Sequence, residues 1–118
     1  MLKFNRIFNK SIKIDGVVLL AQYYSKLESK EMDELFKAIL TLKNIEECYR
    51  FFDDICTINE MQAISQRMQV ALMLNKGETY NEIVKKTGAS TATISRVNRC
   101  LNYGSDGYNL VLKRLGKK

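Results

Sequence analysis

The sequence has no histidine and only three cysteines in 118 residues, and each shortage excludes a kind of chemistry. Histidine is the commonest general base and the commonest metal ligand, so its absence argues against most hydrolase and metalloenzyme mechanisms. A structural zinc site needs about four Cys or His ligands in close pairs, and Cys48, Cys56 and Cys100 are too few and too widely spaced. We therefore expect no enzyme activity, no metal site and no cofactor.

Glycine-rich nucleotide loops and long apolar runs are also missing. The six glycines never form the spacings that cradle phosphates. Apolar runs such as Val17 to Ala21 fall far short of the roughly 20 residues that a membrane-spanning helix needs. The amino terminus lacks the apolar core and the cleavage site of a secretory signal. We expect a cytoplasmic protein with reduced cysteines and no membrane partner.

The net positive charge of the chain lies in one half of it. Residues 1–56 hold nine basic and nine acidic residues, whereas residues 57–118 hold ten basic and four acidic residues, so the whole net charge of +6 lies in the carboxy-terminal half. Such an imbalance favours a polyanionic partner, because phosphates gain from Lys and Arg by attraction and counterion release. A solvated surface that is merely basic is the alternative, and charge alone does not choose between them.

Apolar residues recur at helical spacing through most of the chain and predict an all-α fold of five or six helices. The predicted helical stretches are residues 29–43, 44–55, 57–75, 80–87, 90–101 and 106–115. Thr79 with Glu82 forms a capping box, and Gly88 suits a helix end. The apolar stripe of residues 29–43 is wide, and either intrachain packing or a second subunit would cover it.

Two segments are expected. Residues 1–20 form an amino-terminal extension of unknown order, with four basic residues, one acid and weak strand alternation between Lys3 and Ile14. Residues 21–118 form the helical domain. The extension is interpreted equally well as a basic arm that contacts a partner subunit or DNA and as a disordered segment.

Two short predicted helices joined at Gly88 form a helix-turn-helix pattern at about residues 79–101. Steps of 100° place Ile94 and Val97 on one side of the second helix, and small then basic residues on the other. Small leading residues suit close approach to base edges in the major groove, while arginines reach phosphates. The candidate DNA-binding residues are Lys85, Lys86, Ser90, Thr91, Ala92, Thr93, Ser95, Arg96 and Arg99. The alternative is a helical hairpin with a solvated surface.

Four features resemble the tryptophan repressor superfamily: GASTATISR from Gly88 to Arg96, which is the most specific, TINE from Thr57 to Glu60, Arg67, and KGE from Lys76 to Glu78. The stretches ECYRFFDD (residues 47–54) and RVNRCLNYGSDGY (residues 96–108) resemble more narrowly its YerC/YecD branch of TrpR-related proteins. The resemblance covers about residues 27–115. It implies a homodimer of interlocking helices, in which each protomer presents one helix-turn-helix to successive major grooves. Half-sites are then expected about 34 to 36 Å apart.

The resemblance also implies a ligand site. In the tryptophan repressor two arginines flank the corepressor and a threonine helps to hold its carboxylate; the matching residues here are Arg67, Arg96 and Thr57. Val97 stands where the family has a small residue, and its branched side chain is expected to crowd an indole. We therefore expect DNA binding that does not depend on tryptophan, and leave a different small-molecule corepressor open. In the alternative, Arg67 pairs with an acid and Thr57 only caps its helix.

The sequence thus predicts a sequence-specific, DNA-binding transcriptional regulator, a repressor that occupies double-stranded operator DNA as a homodimer. The alternative function is a helical protein–protein interaction module in a regulatory assembly. Salt distinguishes the two, because phosphate contacts make affinity fall steeply with ionic strength. An enzyme ranks below both, since Cys56 and Cys100 have no visible base to activate them.

Overall fold

The computed structural model describes the backbone of residues 7–14 and 17–22 and all atoms of residues 23–118. Two strands precede six helices. Their bounds are β1 (Ile7–Ile14), β2 (Val17–Gln22), α1 (Lys30–Ile39), α2 (Ile45–Ile55), α3 (Ile58–Asn75), α4 (Tyr80–Thr87), α5 (Thr91–Tyr103) and α6 (Gly107–Arg114). The chain divides into two compact units between Cys48 and Tyr49.

In the first unit, β1 and β2 form an antiparallel two-stranded sheet. Ile14 lies opposite Val17 and Ile12 opposite Leu19, and the register shifts between Ile7 and Ser11. The prediction of an all-α fold of five or six helices is confirmed for residues 23–118, and the hairpin is an addition to it. Within the expected basic extension, Lys3 and Arg6 lie outside the described residues.

Local hydrogen bonds set the ends of α1. The Ser29 hydroxyl accepts from the Met32 amide at 3.0 Å and caps the first turn. The predicted helix extended to residue 43, but α1 ends at Ile39, where the Thr41 hydroxyl and amide both donate to the carbonyl oxygen of Ala38. Three-residue hydrogen bonds of this kind tighten the backbone and stop the regular α ladder.

Reciprocal caps begin the next helices. Ahead of α2, the Asn44 side chain accepts from the Glu47 amide at 2.9 Å, while the Glu47 carboxylate accepts from the Lys43 amide at 2.9 Å. Ahead of α3, Thr57 and Glu60 complete the capping box that the sequence indicates, at 3.1 and 2.8 Å. Each pair satisfies amides that a helix start would otherwise leave unpaired.

The core of the second unit lies among α3, α4 and α5. Six residues form one buried cluster: Val70 and Ala71 from α3, Ile83 from α4, Ala89, and Ile94 and Val97 from α5. Burying a side chain such as valine or isoleucine contributes about 1.5–3 kcal/mol relative to exposure. This cluster holds α5 against α3 and α4, with α6 packed on α5.

The apolar side of α2 is not buried. Ile45, Tyr49 and Ile55 recur at helical spacing, a pattern that predicts a covered face, yet these side chains are 75%, 68% and 51% exposed. Neither α1 nor α2 contains a buried residue. Helical periodicity identifies an apolar face but does not specify which surface covers it.

Candidate nucleic-acid interface

A three-residue turn positions α5 relative to α4. Gly88 adopts a φ of +71° and its amide donates to the Val84 carbonyl at 2.9 Å. A Cβ added at Gly88 would meet nothing within 4 Å, so glycine is favoured by this left-handed conformation and not by lack of space. The Thr87 hydroxyl donates to the Ile83 carbonyl at 2.7 Å and accepts from the Ala89 amide at 3.1 Å. These bonds fix the turn at both ends.

The turn is also anchored to α3. The Gln66 side-chain amide donates to the carbonyl oxygen of Thr87 at 3.1 Å. Because a helix end leaves its last carbonyls without intrahelical partners, this contact satisfies one of them. Thus α3, α4 and α5 are joined by a polar contact as well as by the buried cluster.

The start of α5 uses two of the predicted DNA-binding residues as caps. The Ser90 hydroxyl accepts from the Thr93 amide at 3.1 Å, and it lies 3.1 Å from the Thr93 hydroxyl, to which it donates. Ser90 is exposed and Thr93 is half-buried. Both therefore have a structural role at the beginning of the helix, whatever else they contact.

The two faces of α5 differ sharply. Ile94 and Val97 are 0% and 1% exposed and point into the cluster. On the opposite side four predicted residues are all exposed: Ala92, Ser95, Arg96 and Arg99. Thr91, at the flank of the helix, is exposed as well. The first turn of α5 contains no acid, and neither arginine forms an ion pair with any residue that the structure describes. The exposed face of α5 therefore begins with small, uncharged side chains and continues with two guanidinium groups that no described acid neutralises.

The two lysines at the end of α4 differ from each other. Lys85 is exposed and has no ion-pair partner within residues 23–118. The Lys86 ammonium lies 2.6 Å from a carboxylate oxygen of Glu78, whose side chain is only 16% exposed. The hydrogen bond that the Lys86 ammonium donates to Glu78, together with the negative charge of Glu78, raises the pKa of Lys86, which therefore stays cationic. Sequence reasoning missed Glu78, because a spacing of eight residues is outside the i,i+3 and i,i+4 pairs that a helix predicts.

The three predicted ligand-binding residues have different environments. Thr57 is engaged in the α3 capping box, as the simpler interpretation expected. Arg67 is half-buried and forms no ion pair with the described residues, so the expected acid partner is not found there. Arg96 is exposed on α5. A polar groove of about 400 Å³ between α3 and the end of α4 includes none of these three residues.

Neither metal-binding groups nor membrane-spanning helices occur in the described part of the chain. No three His, Cys, Asp or Glu side chains there lie close enough together to hold a metal ion. The helices there are too short or too polar to cross a bilayer.

The fold and the exposed helix pair define a helix-turn-helix protein of the Trp repressor class. The family model described as Trp repressor protein matches residues 30–116. The chain belongs to this family.

Individual proteins are also similar to this chain. The chain is 63% identical to the uncharacterized protein YerC of Bacillus subtilis over 90 residues. The aligned region covers 76% of this chain and 86% of YerC. The crystal structure of a Trp repressor candidate from Staphylococcus aureus matches with a TM-score of 0.75 and 57% identity, covering 79% of this chain and 93% of that one. A TrpR-like protein from Eubacterium eligens matches with a TM-score of 0.74 and 59% identity over 77% of this chain and 94% of that one.

Proposed function

We propose that the protein is a sequence-specific DNA-binding transcriptional regulator that reads the major groove with α5. The observation that carries the proposal is the exposed face of α5, where small residues precede Arg96 and Arg99 while Ile94 and Val97 anchor the opposite face. A recognition helix needs this combination, because its leading side chains must reach base edges without a bulky or charged obstacle.

The predicted DNA contacts divide into two groups. Thr91, Ala92 and Ser95 lie where hydroxyl and methyl groups would meet base edges, and they provide direct readout. A second group supplies phosphate contacts that position the helix without reading sequence: Lys85, Lys86, Arg96 and Arg99. Ser90 and Thr93 hold the first turn of α5, and in this proposal they contribute to DNA contact from the same end of the helix.

The functional unit in this proposal is a homodimer. Leu40 and Ile45 are 82% and 75% exposed, and exposed apolar residues of this size mark interaction surfaces. Family membership supports the same arrangement. A two-fold dimer presents two copies of α5, so its DNA site is expected to be a near-palindrome with half-sites about 34 to 36 Å apart.

Regulation in this proposal is repression by occupying an operator, without a requirement for tryptophan. Val97 fills part of the buried cluster, in volume that a smaller residue would leave open. Arg67 and Arg96 remain the residues to examine for a different small molecule, since guanidinium groups bind both carboxylates and aromatic faces.

Selection of bound sequences from a random DNA pool, with and without added amino acids, tests the proposal. We expect an enriched near-palindrome that is the same with and without tryptophan. No enrichment together with salt-insensitive binding would contradict the proposal and favour the protein-interaction alternative. Enrichment only with tryptophan would contradict the tryptophan-independent part alone.

A further inference from the structure

The contact between Glu78 and Lys86 lies beside the proposed DNA-binding face and has no part in the reading of bases. Glu78 precedes the Thr79 cap of α4, whereas Lys86 belongs to the last turn of that helix. The ammonium and carboxylate are 2.6 Å apart, and the lysine side chain remains 56% exposed. The ion pair is therefore accessible from solvent on the lysine side and largely covered on the glutamate side.

Its neighbours offer an internal comparison. Lys85 is adjacent, exposed and without a described acidic partner, so the two lysines differ chiefly in the presence of Glu78. Glu82 is on the same helix, but its carboxylate accepts a hydrogen bond from the Thr79 amide at 3.0 Å, which is a capping contact. Glu78 contacts Lys86, whereas Glu82 only lies near it. Substituting each in turn separates the effect of the contact from the effect of a nearby charge.

We propose that Glu78 restrains DNA binding by competing with backbone phosphate for Lys86. The inference rests on the proposed function and assigns a regulatory role to a residue outside the predicted DNA contacts. While Lys86 is held by Glu78 its charge is already neutralised by that carboxylate, so Lys86 neutralises little phosphate charge and displaces few of the counterions condensed on the DNA. To contact a phosphate it must exchange one charge-assisted hydrogen bond for another. Lys85 has no such exchange to make.

Lys85 and Lys86 are therefore expected to contribute unequally to the salt dependence of DNA affinity, and the difference depends on Glu78. Each phosphate that a cation newly neutralises steepens the dependence of log affinity on log salt by about 0.9. In the wild type, Lys85 is expected to contribute this full amount per protomer and Lys86 much less. Removing the carboxylate from residue 78 should restore the contribution of Lys86.

Salt titrations of binding to a mixed-sequence duplex of about 30 base pairs test this, since such a duplex spans two half-sites of the expected spacing. Phosphate contacts do not depend on base sequence, so no operator is needed. We expect Glu78→Gln to bind several-fold more tightly at low salt, with a slope steeper by about 0.9 per protomer. Lys86→Gln in that background should abolish the gain, whereas Lys86→Gln in the wild type should change the slope little.

Glu82→Gln is the matched control. It removes the same charge from a carboxylate near Lys86 that does not touch it, and glutamine also serves at this position of a capping box. We expect a small general rise in affinity with the wild-type slope. Equal slopes for Glu78→Gln and Glu82→Gln would overturn the inference and leave the proposed function intact.

Two further outcomes are decisive. Should Glu78→Gln fail to fold, the comparison of Lys85→Gln with Lys86→Gln in the wild type replaces it, and equal losses of slope from the two lysines would overturn the inference. Salt-insensitive binding by the wild type itself would contradict the proposed function, and the restraint by Glu78 would fall with it.

Discussion

The helices α3 to α6 and the helices α1 and α2 all carry large apolar side chains, but the two groups differ in whether these side chains are buried. In the first group Val70 and Ile94 are 0% exposed, whereas in the second Ile45, and Leu40 directly after α1, are 75% and 82% exposed. Side-chain caps begin helices in both groups, with Ser29 before α1 and Thr57, Thr79 and Ser90 before α3, α4 and α5. The difference teaches that an apolar stripe shows only that a face must be covered, and that the covering surface can belong to another molecule.

The buried and the exposed groups of helices correspond to two different roles in the proposed function. The buried cluster fixes α5 against α3 and α4, so that its small and basic face is held outward. In the proposed homodimer, the exposed apolar side chains of α1 and α2 contact the second subunit. In the proposed function, α3 to α6 form the part that binds DNA, and the dimer contact at α1 and α2 sets the distance between the two copies of α5.

The largest expected effect is the loss of a cluster side chain. Ile94→Ala should lower the free energy of unfolding by about 2–5 kcal/mol, because it removes buried methyl groups and leaves a cavity. Leu40→Ala removes a similar apolar volume from an exposed position. Denaturant unfolding of dilute protein should show a much smaller loss for Leu40→Ala, and equal losses would erase the contrast between the two regions.

The next effect concerns assembly. Leu40→Asp should shift the protein from dimer to monomer, because it places a charge on the apolar surface that a second subunit is expected to cover. Analytical ultracentrifugation measures the shift directly, and the unfolding temperature should lose its dependence on protein concentration. Lys37→Asp adds the same side chain to the same end of α1 as a control. A dimer that persists in Leu40→Asp would place the subunit contact elsewhere.

A smaller effect is expected at the turn between α4 and α5. Gly88→Ala should cost roughly 1 kcal/mol of stability, because its φ of +71° disfavours a side chain. Gly107→Ala is the control, since a Cβ there also meets nothing within 4 Å and the backbone is not in the left-handed region. Chemical denaturation that found both changes neutral would show that the turn adapts without cost.

The smallest effect is the pH dependence of the two capping boxes. Hydrogen bonds from the backbone amides of Thr57 and Thr79 lower the pKa of Glu60 and Glu82 from the ordinary value of 4.5. A lowered pKa in the folded state means that this stabilisation is complete above 4.5 and is lost as the pH falls below it. The unfolding temperature of a Glu60→Gln, Glu82→Gln double variant should therefore fall slightly less than that of the wild type between neutral pH and about pH 3. Identical curves would contradict this assignment.

Sequence reasoning succeeded where structure is encoded locally. The bounds of α4 follow from Thr79, Glu82 and Gly88, because caps and a left-handed glycine act within one turn of helix. The face of α5 that carries Ile94 follows from helical periodicity for the same reason.

It was wrong or silent at three other places. Helical periodicity predicted that the first helix continues to residue 43, but α1 ends at Ile39, where the Thr41 hydroxyl donates to the Ala38 carbonyl. The Lys86 contact joins two long side chains that are eight residues apart, beyond one turn of helix. The hairpin was not predicted, since alternation in β1 is weak. The dipeptide Asp15-Gly16 between two apolar stretches was the available signal.

Binding to the selected operator with altered spacing between its halves tests the account most directly. The account predicts tight binding when the half-site centres are about 10 base pairs apart, and a large loss when about five base pairs are inserted, because the second half-site then faces the opposite side of the duplex. Affinity that is indifferent to the insertion would contradict a dimer that places two copies of α5 in successive major grooves.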